Sequence, residues 1–199
     1  MKTPALIAIA AVAALTSACT TMGGGRAAPV DATRYHLSQP IPAGTIAIEG
    51  VPGEAMGPEY QLYADAVASE LARMNFTPAP AGQKTDYLAT VAFRRTEKGQ
   101  IRTRPPLTIG LGGGSYGGGV GLGGGASVGI GSKTRTVYGT ELAVQMRRRG
   151  DNTVIWEGRA VTEAIGGQAG AQPDPTASRL AMALFKGFPG QSGITITVK

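Results

Sequence analysis

The stretch "VYGTELAVQMRRRGDNTVIWEGRAVTEA" (137–164) decides the fold class. Two runs rich in β-branched and apolar residues flank "RRGDN", a cluster of residues that favour turns. The pattern predicts a β-hairpin, with Leu142, Val144 and Trp156 directed into a core. Upstream, "TDYLATVAFRRTE" (85–97) alternates Tyr87, Ala89, Val91 and Phe93 against Leu88, Thr90, Ala92 and Arg94, which is the two-residue period of a strand. "TRYHL" (33–37) and "GTIAIEG" (44–50) read as two short strands joined across "SQPIPA", and "GITITVK" closes the chain as a last strand.

Two segments carry the helical period instead. In "GPEYQLYADAVASELARMNF", Leu62, Ala66, Val67, Leu71 and Met74 form one stripe, predicting an amphipathic helix over 59–75 with acids near its start and Arg73 near its end. In "PDPTASRLAMALFKGFPG", Asp174 is the expected N-cap and Pro175 the first helical residue. Leu180, Ala181, Leu184, Phe185 and Phe188 then follow at helical spacing until Gly187 and Pro189 end the run. The expected fold is α+β: an antiparallel sheet with two amphipathic helices packed on one face. Leu71, Leu142, Val144, Trp156, Leu184 and Phe185 are the expected core.

The N-terminus carries a different message. Lys2, an apolar run from Ala5 to Leu15, and small residues at Ser17 and Ala18 follow the plan of an export signal. The run is about a dozen residues, short of the ~20 needed to span a bilayer as a helix. Cys19, the only cysteine, stands directly after it, so no disulfide forms within one chain. The segment resembles the lipobox of bacterial lipoproteins, although Thr16 stands where that family usually has Leu. The resemblance implies diacylglyceryl transfer to the Cys19 sulfur, cleavage before Cys19, and acylation of the new amino group. Several acyl chains on one residue make a stable anchor, because each buried methylene contributes ~0.8 kcal/mol. Thr20 occupies the place where the inner-membrane retention signal commonly has Asp, so the expected location is the outer membrane, facing the periplasm. The organisation that follows is a signal peptide at 1–18, a lipidated Cys19 with a flexible tether at 19–31, and one domain at 32–199 with a Gly-rich insertion at about 110–132.

Gly 31 and Pro 13 together make about 22 per cent of the 199 residues, against about 12 per cent in ordinary chains, and the excess sits in loops and in the insertion. The formal net charge is +6 and the pI near 9.7. In an exported protein that balance fits a basic surface that serves solubility, or an anionic lipid, lipopolysaccharide or an acidic partner, and not nucleic acid.

The order of phrases "ELARMNF", "TDYLATVAF", "GLGGGSYGGGVGLGGG", "YGTELAVQM", "VIWEGRA" and "LFKGFPG" resembles a bacterial lipoprotein family known as domain of unknown function 4136, over roughly residues 33–190. The resemblance implies location and fold and brings no catalytic residues.

Nothing in the chain assembles into a catalytic or cofactor motif. Gly112, Gly114 and Gly117 match a dinucleotide fingerprint formally, but no helix start follows them and no acid lies ~20 positions on to hold a ribose. His36 is the only histidine and Cys19 is consumed by lipid, so neither a metal set nor a cofactor is expected. A hydrolase would need two of Asp86, Glu141, Asp151, Glu157 and Glu163 held within ~5–9.5 Å. The "RGD" at 149–151 falls on a turn that wants those residues anyway. The expected role is therefore non-catalytic binding or envelope assembly, with an envelope protein or anionic lipid as partner. Arg94, Arg95, Arg147, Arg148 and Arg149, with Arg102 and Arg104, are the expected contact for an anionic partner, through guanidinium pairing with phosphate oxygens. The Gly-rich segment is the other expected interaction surface, ahead of the basic contact, pairing with another chain's edge; the plain alternative for it is a flexible insertion with no partner.

Overall fold

The computed structural model describes residues 28–80, 82–102, 107–110, 127–130 and 133–199. Seven strands form one sheet in the order β3-β2-β4-β7-β8-β1-β9. The strands are β1 (Val30–His36), β2 (Thr45–Gly50), β3 (Thr77–Ala79), β4 (Tyr87–Arg102), β7 (Thr134–Arg148), β8 (Thr153–Ile165) and β9 (Thr195–Val198). Two helices, α1 (Pro58–Arg73) and α2 (Pro173–Phe185), pack against each other and cover one face. A pair of short strands, β5 (Leu107–Gly110) and β6 (Ser127–Ile130), stands apart from the sheet, with Leu107 opposite Ile130 and Gly110 opposite Ser127. Gly112, Gly114, Gly117 and the rest of the Gly-rich insertion between these strands lie outside the described residues, as does Arg104.

The hairpin forms as the sequence predicts: β7 and β8 run antiparallel with Leu142 opposite Ala160 and Val144 opposite Gly158. The sheet is mixed, however, and not antiparallel throughout. β2 is parallel to both of its neighbours, β3 and β4. The reason is α1, which carries the chain back to the end of the sheet where β2 began, so β3 must run the same way. β3 is only three residues long, and the following loop returns the chain again to start β4 beside Ile46. The two early strands are joined in sequence but separated in space, since β4, β7 and β8 lie between β2 and β1.

The expected core holds: Leu71, Leu142, Val144, Trp156, Leu184 and Phe185 are all buried. The stripe on α1 is rotated from its expected phase. Tyr60, Tyr63, Ala64, Val67 and Leu71 are buried, while Leu62, Ala66 and Met74 are only partly covered. Two tyrosines were the better anchors because Tyr63 stacks on Phe93 of β4 at 4.5 Å between ring centroids. At the other helix, α2 begins at Pro173 with Gln172 as N-cap, two residues before the expected cap at Asp174. Asp174 instead lies in the first turn, where a carboxylate suits the positive end of the helix dipole.

Several of the quoted phrases meet in one place, and each has a packing reason. In "ELARMNF", Asn75 adopts φ of 65°, its N–H donates to Ala72 and that of Phe76 donates to Leu71. That is a Schellman ending, in which Leu71 and Phe76 bracket the left-handed residue and close the helix. Phe76 then meets Tyr87 and Phe188 edge to face. In "VIWEGRA", a Cβ on Gly158 would lie 2.5 Å from the Trp156 ring and 2.8 Å from Leu184, so glycine is what lets the indole lie down. In "LFKGFPG", Phe185 stacks on Trp156 at 5.3 Å, Phe188 packs beside it at 5.4 Å, and the indole N–H donates to the Pro189 carbonyl at 3.0 Å. These phrases build an aromatic core and not a reaction centre.

Candidate binding surface

Alternation along the strands leaves the second face of the sheet without helices. Residues out of phase with the core line it: Thr33 and Tyr35 on β1, Glu49 on β2, Leu88, Thr90 and Ala92 on β4, Ala143, Gln145 and Arg147 on β7, and Glu157 and Arg159 on β8. Small side chains at Thr90, Ala92 and Ala143 form the floor of a depression of roughly 530 Å³, and the loop at Val51 and Pro52 walls one side. Tyr35 on the opposite wall is about half exposed.

Some of the charged groups on this face are held by neighbouring side chains. Arg159 binds Glu141 at 2.5 Å, and Arg147 donates twice to the Gln145 side-chain carbonyl, at 2.9 and 2.7 Å. The register separates one pair of carboxylates and leaves another, Glu141 and Glu163, diagonal to each other at about 7–8 Å, with Glu141 held by Arg159. Glu49, Thr90, Gln145 and Glu157 form one row across four strands, so Glu49 and Glu157 stand three strand spacings apart, about 14 Å, outside the two-carboxylate range. Asp86 and Asp151 serve the backbone instead. Asp86 accepts from the hydroxyl and the N–H of Thr45, which pins β2 to the start of β4 and lowers the Asp86 pKa. Asp151 is lowered mainly by the N–H of Thr153 within the hairpin turn. Glu163 stands further along β8, opposite Gly139. His36 ties β1 to the loop after α2, with Nδ1 accepting from Ser38 N–H and Nε2 donating to Gly190 carbonyl. Among the described residues no three His, Cys, Asp or Glu side chains converge on a metal-sized site.

The structure separates the arginines expected to form one basic face. Arg147, Arg148 and Arg149 sit at the hairpin turn, beside the start of β4, with Arg148 opposite Tyr87. Arg94 and Arg95 lie six and seven residues further along β4 than Leu88, the partner of Arg147, which is about 20 Å at the rise of a strand. Each turn arginine is already engaged: Arg147 with Gln145, Arg148 with Asp151 at 2.9 Å, and Arg149 with Glu49 at 3.6 Å. Arg95 is on the helix side and works inside the fold. Its guanidinium lies 3.5 Å from Glu59, donates to the Ala171 carbonyl, and sits 4.6 Å over the Tyr138 ring. Arg94 points to the open face opposite Glu141. Cys19 lies outside the described residues.

A buried cation was missed altogether. Arg34 is buried, and its guanidinium donates to the carbonyls of Lys186 and Ala183 at the C-terminal end of α2. The negative end of the helix dipole compensates the charge there, and burial lowers the pKa. The signal was present in "VDATRYH", where Val30, Ala32 and Arg34 share one phase of the strand.

A mixed sheet backed by two helices, with no helix on its cupped second face among the described residues, defines an α+β fold. The chain belongs to the family described as Domain of unknown function (DUF4136), whose model matches residues 49–190. An uncharacterized protein of Zymomonas mobilis subsp. mobilis is 34% identical over 213 aligned positions, covering 86% of this chain and 80% of that one. Among solved structures, the PelC dodecamer from Paraburkholderia phytofirmans matches 75% of this chain and 91% of its own, with a TM-score of 0.42 and 14% identity. A PDZ domain protein from Parabacteroides distasonis matches 86% of this chain and 39% of its own, with a TM-score of 0.45 and 11% identity.

Proposed function

We propose that this chain is a lipoprotein anchored through Cys19 to the periplasmic side of the outer membrane, whose domain binds an envelope component and does not catalyse a reaction. The observation that carries the reading is the apolar run ending in Ser17, Ala18 and Cys19, set close to the domain. The Ala28 and Pro29 carbonyls accept from Arg179 and Thr162, so the chain is tied to the domain within nine residues of the cysteine. Two of the open face's carboxylates, Glu141 and Glu49, are held by Arg159 and Arg149, which favours a binding role over acid-base chemistry at those two groups.

The intact mass of the membrane-fraction protein, measured beside Cys19→Ala, tests the anchor. Loss of residues 1–18 with added acyl mass, abolished by the substitution, is the expected result. A soluble, unacylated product from both chains would overturn it.

A further inference from the structure

The two ends of the sheet differ in how their cations are used. At the hairpin turn, Arg147, Arg148 and Arg149 are each held by a neighbouring side chain. At the other end β4 and β7 outrun the rest of the sheet. β8 stops at Ile165 opposite Val137, whereas β4 and β7 continue to pair through Gln100 with Thr136, Ile101 with Arg135, and Arg102 with Thr134. This two-stranded ribbon carries Arg102 and Arg135, with Lys98 at its base lying over Gly139 and Ile101 exposed. Among the described residues none of Lys98, Arg102 and Arg135 is in an ion pair with an acid, while five arginines elsewhere are. Glu97 is the one acid among the described residues of the two ribbon strands, and Glu163 on β8 stands opposite Gly139 at the base.

The chain also enters the domain at this end. Val30 is level with Thr162, Thr140 and Arg95 in one row across the sheet, and β1 runs away from the ribbon toward the hairpin turn. Arg102 is seven residues beyond that row, so the ribbon extends about 23 Å past the point of entry. Eleven Cα steps from Cys19 to Val30 reach at most about 36–40 Å. Whenever the anchor lies within about 31 Å of the Val30 row along the strand axis, the ribbon comes within the screening length of ~8 Å in physiological salt from the anchoring surface.

We propose that this ribbon, through Lys98, Arg102 and Arg135, is a contact surface for an anionic phospholipid bilayer, the one that holds the Cys19 anchor. The proposal rests on the anchored reading above. The lipid tether raises the local concentration of the ribbon at the headgroups, so weak attraction by three cations suffices to orient the domain.

The test uses the full chain bearing Cys19→Ser, cosedimented with vesicles of phosphatidylcholine alone and of phosphatidylcholine mixed with phosphatidylglycerol. The apolar N-terminal segment is common to every variant, so the ratio of binding to the two vesicle types reads the charge contribution. Preference for the anionic vesicles, lost in high salt and reduced about tenfold or more by Lys98→Gln, Arg102→Gln and Arg135→Gln together, is expected. The pair Arg147→Gln and Arg148→Gln should keep the preference. Thermal melting of each variant establishes that the fold is retained. An unchanged preference in the ribbon variant, or its loss in the hairpin-turn variant alone, overturns the proposal. An acidic protein as the true partner would give the first of these results. Absence of acyl mass on Cys19 would sink the anchor reading separately, since the vesicle ratio does not depend on it.

Discussion

The two faces of the sheet are made from the same strands and obey different rules. On the covered face, Trp156, Leu142, Val144, Met146, Val91 and Leu184 interlock with almost no exposure, and Gly158 is required by the space it leaves. On the open face, neighbours in the same strands are Ala92, Thr90, Ala143 and Gln145, small or polar and partly solvated. Packing dictates the first set almost residue by residue. It leaves the second free, so whatever the open face is for, stability does not explain its composition.

Substitutions can break that contrast or sharpen it. Trp156→Ala should have the largest effect, about 3–5 kcal/mol, because it removes a buried ring stacked on Phe185 and Phe188 and orphans the Pro189 carbonyl. Urea unfolding measures it, and a loss below about 1 kcal/mol would mean the core is less tightly coupled than the packing indicates. Arg34→Ala comes next, at about 2–3 kcal/mol, since it uncovers two carbonyls at the end of α2. Arg34→Met, which keeps the stem, separates packing from charge: recovery of most of the loss would assign the effect to the stem.

Tyr63 gives a pH-dependent test of the covered face. Burial, with Glu59 nearby, pushes its phenol up to about 12. An unfolded chain ionises its tyrosines near pH 10. Stability from this group is therefore complete below about pH 10 and is lost as pH rises toward 12, because the unfolded state releases a proton the folded state retains. Tyr63→Phe should flatten that part of the stability profile, and should cost little at neutral pH because the buried hydroxyl has no hydrogen-bond partner among the described residues. An alkaline limb unchanged by the substitution would assign it to other groups. The smallest effect belongs to the open face: Ala92→Ser and Thr90→Ser should each fall within about 0.5 kcal/mol of the parent in the same melts. A larger loss at either would show that this face, too, is under packing constraint.

Much of this was legible in the sequence because period is a local property. The hairpin at 137–164 and the β4 alternation could be read from single strands, and the buried Trp156, Leu142 and Val144 followed. Direction and neighbourhood are not local. Nothing in "GTIAIEG" states that β2 will lie parallel between β3 and β4, since that depends on where α1 returns the chain. The phase of α1 differs from its aliphatic stripe because Tyr60 and Tyr63, whose rings reach the core despite their hydroxyls, set the buried side. The arginine cluster failed for a related reason: residues near in type and sequence were joined, although β4 is sixteen residues long and carries Arg94 and Arg95 well away from the hairpin turn. Arg34 could have been found by trusting strand phase over residue type.

The placing of β1 has a mechanical consequence. It lies between β8 and β9, paired antiparallel to both. A pull on the N-terminal side of Val30 along the strand axis loads both ladders in shear, so many bonds must fail together. The same load on an edge strand, applied across its axis, would unzip it one bond at a time. A domain held by its N-terminus to a moving surface would thus be gripped through a strand paired on both sides.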